Sequence, residues 1–290
     1  MAQNNNIQWY PGHMGKAINE LYDKIQYMDF VMILLDSRIP LSSKNDLLER
    51  MACGKNRLYI LTKKDLSDPL ETEKWIKYFT GKGSCAIAVN LKETGLVNYL
   101  NEYTHKFVLK KETNSKRKKI IFTRCRAMVL GIPNVGKSTL INVLSQKKVV
   151  LTADKVGMTR NVNMIHTKNF DLVDTPGMLE PSYENKEKAF NLALIGAMNT
   201  DVLPVEELCK KCVDFLLKNY HLNFISRFNL LEKECTDFYI VIQAIGRERG
   251  FLSKHDEVDM DKTERVILNE FRSGNICNFT LERVEDALPR

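Results

Sequence analysis

The fold is decided by one stretch of eight residues, GIPNVGKS at positions 131–138, which fits the pattern GxxxxGK[ST] in full. Its glycines, Gly131 and Gly136, let the backbone wrap around a phosphate group without a clash from a Cβ atom. Successive amides and the start of the following helix then point positive dipole ends at the anion. Lys137 is expected to reach the β- and γ-phosphates, and the Ser138 hydroxyl to ligate Mg²⁺. The stretch therefore predicts a phosphate-binding loop between a strand and a helix.

Strands and helices alternate on both sides of this loop, which is typical of a parallel sheet flanked by helices. Short apolar runs predict buried strands, and the segments between them have helical periodicity. The predicted strands are 30–35, 58–61, 85–89, 127–130, 162–166 and 170–173, and the predicted helices are 14–28, 44–52, 71–79, 96–108 and 137–144. From about residue 181 helical patterns predominate, with breaks near Pro204 and Gly250. We therefore predict an α/β domain over residues 1–180 and an all-α domain over residues 181–290.

A second phosphate-site motif, DTPG at 174–177, directly follows a predicted strand. An aspartate at the carboxyl end of a strand can hold a water bound to Mg²⁺, and the amide of Gly177 can sense the γ-phosphate. Thr159 lies in the loop between the two motifs, and its hydroxyl can complete the magnesium shell only when the γ-phosphate is present. The predicted magnesium ligands are therefore Ser138, Thr159 and Asp174.

A base-reading motif lies upstream of the phosphate loop. TKKD at 62–65 follows a buried strand and resembles the guanine-reading [NT]KxD of GTPases. The Asp65 carboxylate can accept hydrogen bonds from N1–H and the exocyclic amine of guanine, a donor pair that adenine lacks. Most GTPases carry Asn where Thr62 stands, so one hydrogen bond to a neighbouring loop is expected to differ. Asn90 and Leu91 follow the next predicted strand, where the last GTPase loop is expected.

The order of these motifs is rotated relative to ordinary GTPases, which place the phosphate loop first and the base reader later. The fold permits this order, because ligand loops need only gather at the carboxyl ends of the strands. The basic segment 106–126 is a natural join between the two halves. The predicted nucleotide-binding residues are Thr62, Lys63, Lys64, Asp65, Asn90, Leu91, Asn134, Val135, Gly136, Lys137, Ser138, Thr139 and Gly177.

The net charge of +7 is unevenly distributed along the chain. Residues 1–180 carry 28 basic and 17 acidic side chains (+11), whereas residues 181–290 carry 15 and 19 (−4). The basic side chains are densest in segment 106–126, which we interpret either as a solvated linker or as an arm that contacts phosphates. No long apolar run predicts a membrane span, and the amino terminus has no apolar signal core. A cytoplasmic protein is therefore expected.

With these motifs placed, the chain resembles the circularly permuted ribosome biogenesis GTPase A family, of the RbgA (YlqF) type. Four further segments carry the likeness: WYPGHM at 9–14, DSRIP at 36–40, FRSG at 271–274 and TLE at 280–282. The resemblance implies a Ras-like P-loop GTPase domain and a small helical domain that contacts ribosomal RNA. It also implies hydrolysis of GTP to GDP and phosphate, with Mg²⁺, during late maturation of the large ribosomal subunit. Off the ribosome a monomer is expected.

The resemblance also assigns two roles. Ras-type proteins orient the attacking water with a glutamine after the Asp-x-x-Gly motif, but here that place is Met178. The family is similar in lacking this glutamine, and His13 is implied as the catalytic replacement; the alternative is a structural histidine in a turn. Asn134 matches a position that helps hold K⁺ in potassium-stimulated relatives, and its alternative role is to satisfy its own turn.

The sequence also allows other interpretations of RNA contact and of the activity. The acidic composition of residues 181–290 gives no support to RNA contact, although a basic face built from Lys210, Lys211, Arg247, Arg249 and Arg272 would provide it. The chain is alternatively a P-loop ATPase of other function, which Asp65 argues against. A third reading is a nucleotide-binding placeholder with little hydrolysis.

Overall fold

The computed structural model describes residues 7–8, 14–80, 84–105, 124–145, 164–167, 170–180, 182–183, 185–198 and 203–287. The chain divides into two compact units. The first comprises Met1–Glu184 together with Glu282–Arg290, and the second comprises Asn185–Leu281. The boundary between Glu184 and Asn185 lies close to the predicted one after residue 180. The prediction did not assign the last residues of the chain to the first unit.

The first unit is built on a mixed sheet of six strands. In chain order the strands of the unit are β1 (Ile7–Gln8), β2 (Phe30–Asp36), β3 (Asn56–Thr62), β4 (Cys85–Val89), β5 (Cys125–Gly131), β6 (Met164–His166), β7 (Phe170–Val173) and β8 (Ser182–Tyr183). The large sheet has the order β4-β3-β2-β5-β7-β6, and its neighbours are parallel except for the antiparallel pair β6 and β7. The predicted α/β class is confirmed, and each predicted strand lies within two residues of the observed one at both ends.

Helices connect the parallel strands, as parallel pairing requires. They are α1 (Met14–Ile25), α2 (Asp46–Met51), α3 (Pro69–Thr80), α4 (residues 96–105) and α5 (Lys137–Ser145). Every residue of the central strand β2 is buried, because β3 and β5 flank it and helices cover the sheet. This explains why its sequence, FVMILLD, is an uninterrupted apolar run until the final aspartate.

The pairing register brings three strand ends to one edge of the sheet. Asp36 lies opposite Thr62 in the pairing of β2 with β3, and Leu34 lies opposite Gly131 in the pairing of β2 with β5. The carboxyl ends of parallel strands are where α/β folds bind ligands. The base-reading motif and the phosphate loop therefore start from neighbouring strands, although they are far apart in sequence.

Segments near both ends of the chain make long-range contacts within the first unit. The short strand β1 pairs antiparallel with β8, so that Ile7 lies opposite Tyr183. At the other end, the Glu282 carboxylate accepts hydrogen bonds from the amides of Leu41 (2.6 Å) and Ser42 (2.9 Å). The indole nitrogen of Trp75 donates to the Glu282 carbonyl (3.2 Å).

The second unit is helical. Its helices are α6 (Lys186–Leu194), α7 (Val205–Asn219), α8 (His221–Phe228), α9 (Phe238–Glu248) and α10 (Met260–Ser273). Their apolar faces share one core, in which the ring of Phe271 stacks on Phe279 with centroids 3.9 Å apart. Cys209 and Cys212 are buried in this core. None of the helices in the described parts of the chain is long and apolar enough to cross a membrane.

Candidate functional site: a nucleotide-binding edge of the sheet

The phosphate loop occupies the turn between the end of β5 at Gly131 and the start of α5 at Lys137. Gly136 has φ +103°, a conformation that side chains with a Cβ rarely adopt. A Cβ there would also lie 2.6 Å from Cδ1 of Leu91. The loop therefore requires glycine at this position, and Leu91 packs directly against it.

Lys137 lies inside the loop that precedes it. Its ammonium donates to the carbonyl oxygens of Gly131 (3.1 Å) and Ile132 (2.7 Å). Burial lowers the pKa of Lys137 to about 8, and the nearby Asp174 carboxylate partly opposes that shift. A cation held in so dry a place is strongly attracted to the multiply charged phosphates of a nucleotide.

The DTPG motif packs against the phosphate loop. The Thr175 hydroxyl donates to the carbonyl of Val129 in β5 (2.6 Å), and the Met178 amide donates to the carbonyl of Gly131 (3.3 Å). A Cβ at Gly177 would lie 2.8 Å from Cα of Pro133 and 2.9 Å from the Lys137 ammonium. Only glycine fits this contact, which places the backbone of the motif beside Lys137.

The residues predicted to hold Mg²⁺ fit that ion where the structure describes them. Asp174 is buried, and its Oδ1 atom has no hydrogen-bond partner within the described part of the chain. Burial raises the pKa of Asp174, against the opposing effects of Lys137 and the Thr175 amide. Ser138 is half-buried at the start of α5. A carboxylate and a hydroxyl are oxygen ligands of the kind Mg²⁺ prefers, and a divalent cation would satisfy the orphaned Asp174 oxygen, directly or through a bound water.

The base-reading motif is tied to the phosphate loop by Thr62. Its hydroxyl lies 2.7 Å from the carbonyl of Val135 and 3.1 Å from the carbonyl of Leu35. Thr62 is fully buried, so these contacts are shielded from water. The hydrogen bond that was expected to differ at this position is made by the threonine hydroxyl, which ties the motif to the phosphate loop.

The carboxylate of Asp65 is exposed at the sheet edge. It lies in a short turn in which the Leu66 amide donates to the Lys63 carbonyl (2.9 Å). No hydrogen bond or ion pair among the described residues occupies the Asp65 carboxylate. This carboxylate is therefore accessible to a base bound at the edge of the sheet.

The segment after β4 completes the base side. The Asn90 side chain accepts a hydrogen bond from the Lys92 amide (2.9 Å), which closes a turn. The Lys64 ammonium pairs with Glu93 in the same turn (2.9 Å). Together with the packing of Leu91 on Gly136, these contacts join the predicted last loop to both the base reader and the phosphate loop.

The remaining predicted site residues are placed unevenly. Asn134 is exposed at the tip of the phosphate loop with φ +57°, Val135 is buried, and Thr139 is half-buried in α5. His13 and Thr159 lie outside the described residues, as do residues 106–123 of the basic segment. Their predicted roles stay predictions.

Two residues at the site were not assigned a role from the sequence. The buried Asp36 carboxylate accepts from the Arg38 side chain through both oxygens, each at 2.9 Å, and from the Lys63 ammonium at 2.9 Å. The segment DSRIP at 36–40 resembles a family motif, but the resemblance assigned no role to Asp36 or Arg38. A physical signal was nevertheless present, since an aspartate that ends a wholly apolar strand must find a cationic partner if it is buried.

Comparisons with known proteins agree with this geometry. A profile described as 50S ribosome-binding GTPase matches residues 126–221. A Bacillus cereus protein named Ribosome biogenesis GTPase A is 36% identical over 97% of this chain and 95% of its own length. A Priestia megaterium protein of the same name is 35% identical over 97% and 98%. The chain belongs to the ribosome biogenesis GTPase A family.

Solved structures agree on the fold. A GDP-bound YlqF structure matches with a TM-score of 0.64 at 21% identity, covering 92% of this chain and all of the other. A GNP-bound YlqF from Thermotoga maritima matches with a TM-score of 0.60 at 21% identity, covering 93% and 99%. The predicted family and its permuted GTPase fold are confirmed.

Family membership supports GTP hydrolysis in ribosome assembly, as predicted. Neither alternative reading, a P-loop ATPase or a placeholder with little hydrolysis, is better supported. The family also implies a guanine nucleotide with Mg²⁺. When bound, that ion offsets the negative charge that develops on the phosphate oxygens.

Proposed function

We propose that this GTPase acts in the cytoplasm on the large ribosomal subunit late in its maturation, and that it contacts ribosomal RNA in its GTP state. The observation that carries the proposal is the tie between the base reader and the phosphate loop through Thr62 and Val135, in a chain of this family. That tie makes one site from two motifs, and the Bacillus cereus relative is named for ribosome biogenesis.

Contact with RNA is assigned mainly to the basic segment 106–126. In the helical unit, the Arg272 guanidinium donates to the carbonyls of Ala193 and Leu194, each at 2.9 Å, and so satisfies the end of α6. Arg249 lies 3.6 Å from Glu270. The Lys211 ammonium lies over the Phe190 ring, 4.0 Å from its centroid. Three of the five cationic side chains considered for an RNA face therefore have partners within the unit, which weakens that face as the principal source of phosphate contacts.

Hydrolysis is assigned to His13, with Asn134 holding K⁺ beside the phosphates. Met178, which follows the DTPG motif, is buried and apolar, so its side chain cannot orient water. An imidazole can orient water through one ring nitrogen. In this proposal the variant H13A keeps its affinity for GTP within a few-fold and loses most of the hydrolysis stimulated by large subunits. Equal loss of affinity and rate would assign His13 to a structural turn, and equal rates in K⁺ and Na⁺ would remove the potassium site.

The test of the whole proposal is sedimentation of the protein with large ribosomal subunits. We expect co-sedimentation with a non-hydrolysable GTP analogue, much less with GDP, and a steep loss as salt rises, because phosphate contacts release counterions. Replacing Lys116, Arg117, Lys118 and Lys119 with glutamine should weaken binding and flatten its salt dependence while leaving GTP affinity intact. Equal co-sedimentation in both nucleotide states would contradict the switch, and none in either state would contradict the ribosomal partner.

A further inference from the structure

A buried ion cluster lies behind the base-reading loop. Asp36 is fully buried at the end of β2, and Arg38 beside it is 1% exposed. The Arg38 guanidinium meets both oxygens of Asp36, each at 2.9 Å, and its own amide donates to Oδ1 at 3.1 Å. The Lys63 ammonium lies 2.9 Å from Oδ2. One carboxylate thus binds two cations, one of which belongs to the base-reading motif.

The Lys63 contact fixes the turn that carries Asp65. Lys63 has φ +58°, which is uncommon for a residue with a side chain, and its carbonyl closes the turn over Asp65 by accepting from the Leu66 amide. A strained residue persists only where its surroundings hold it. Here the backbone before it is held by Thr62, and its side chain is held by Asp36.

The ion cluster together with Asp65 is balanced in charge. Two carboxylates, Asp36 and Asp65, face two cations, Arg38 and Lys63. Burial raises the pKa of Asp36, but Arg38 and Lys63 outweigh it and hold that pKa well below its usual range. Burial lowers the pKa of Arg38, and Asp36 followed by Asp65 raises it above its usual value. Asp36 and, less strongly, Asp65 therefore stabilise the charged form of Arg38.

We propose that Asp36 and Arg38 are positioning residues that determine guanine specificity, since Arg38 orients Asp36, which anchors Lys63 and with it the turn that aims Asp65 at the base. This proposal rests on GTP as the nucleotide of the site. It assigns the two residues a part in discriminating between bases and no contact with the nucleotide itself. The phosphate contacts lie in a different loop, so base discrimination and overall affinity are separable.

The discriminating probe is the pair GDP and IDP, because hypoxanthine lacks the exocyclic amine that Asp65 would accept from. We would measure the dissociation constants of both for the full chain by calorimetry. In the variant R38M the GDP-to-IDP preference is expected to fall roughly 5- to 10-fold, part of what a hydrogen bond to a charged group contributes. In the double variant R38M/D65A the preference should equal that of D65A, since Arg38 acts only through Asp65.

A matched control exists in the same half of the domain. Glu49 accepts from Arg57 (3.1 Å) and Tyr59 (2.9 Å), a partly buried ion cluster that touches β3 away from the base loop. The variant E49Q should lose stability without changing the GDP-to-IDP preference. Should R38M fail to fold, R38K keeps the charge and loses the two-pronged contact, and its preference should fall by a smaller factor.

Two outcomes would overturn the proposal. One is a loss of GDP and IDP affinity by the same factor in the Arg38 variant, which would make the cluster purely structural. The other is an additive loss of preference in R38M/D65A. A wild-type protein that does not prefer GDP would instead contradict the guanine assignment itself, and the ribosome experiment does not bear on either result.

Discussion

Glu282 is expected to stabilise the GTPase unit from the far end of the chain. Its carboxylate is 6% exposed and accepts from the amides of Leu41 at 2.6 Å and Ser42 at 2.9 and 3.1 Å. In E282A these two amides lose their acceptor in a largely buried loop. An unsatisfied buried donor costs about 1–3 kcal/mol. Allowing for water entering the space, the free energy of unfolding should fall by about 2–4 kcal/mol in total.

The assay is thermal unfolding followed by tryptophan fluorescence. Trp75 is fully buried in the first unit, and the second unit contains no tryptophan, so the signal of Trp75 reports the first unit. The midpoint should drop by roughly 4–16 °C, since 1 kcal/mol shifts a domain of this size by about 2–4 °C. GDP should raise the same transition by binding only the folded state, which identifies it independently.

Two further variants decide the interpretation. Glu285 lies in the same terminal segment, but its side chain is 66% exposed and 3.7 Å from Lys74. E285A should change the free energy of unfolding by less than about 1 kcal/mol, as is usual for surface ion pairs. E282Q retains one acceptor and should fall between wild type and E282A. A midpoint for E282A equal to that of E285A would show that the Glu282 contacts contribute nothing to the unit and would refute the reasoning.

Three predictions concern the nucleotide site. D65N should weaken GTP binding by about 2–4 kcal/mol and shift the base preference toward xanthosine nucleotides, because their extra carbonyl can accept a hydrogen bond from the new amide. Unchanged GTP affinity would show that Asp65 is not part of the site. S138A should impair binding that depends on Mg²⁺, which titration of GDP with and without the ion would detect, and normal magnesium dependence would refute the assignment. Lys137 is mostly neutral above its pKa of about 8. Because nucleotide phosphates should raise that pKa, GDP binding at roughly pH 8.5 should take up a large part of one proton. Calorimetry in buffers of different ionisation enthalpy measures the proton uptake, and its absence would contradict the prediction. For the protein without nucleotide the same depressed pKa makes stability rise as pH increases from about 8 towards the ordinary lysine value.

The loops that are predicted to bind the nucleotide could be located in the sequence because their spacing follows from local geometry. A glycine-rich turn before a helix, or an aspartate after an apolar strand, is recognisable from a few adjacent residues. The buried strands were predictable for the same reason, since FVMILL at 30–35 reads as a strand covered on both faces. Strands β2, β3 and β5 extend one or two residues beyond the predicted ends, because pairing with neighbours extends a strand beyond its apolar run.

Long-range contacts were not predictable from these patterns. The bond from the Leu41 amide to Glu282 joins residues 241 positions apart, and no periodicity encodes it. The same holds for the pairing of β1 with β8. In both cases the tertiary fold brings the two partners together, and neither partner is marked by a local sequence pattern. TLE at 280–282 resembles a family motif, but its sequence alone does not indicate the structural role of its glutamate.

The loop from Ser37 to Asp46 connects the base-reading half of the domain with the segment that follows the DTPG motif. It begins beside Asp36 at the base site, and at its other end the Asn45 side chain donates to the Met178 carbonyl (3.0 Å), while the Asp46 amide donates to Glu180 (3.0 Å). A largely buried loop must satisfy its backbone groups internally, and this one does so partly through Glu282. Residues 178 and 180 follow Gly177, the expected γ-phosphate sensor, and both are bonded to a loop that the base-reading half holds in place. A change in nucleotide state that moves this segment must therefore break the Asn45 and Asp46 contacts or act on the residues before Met178.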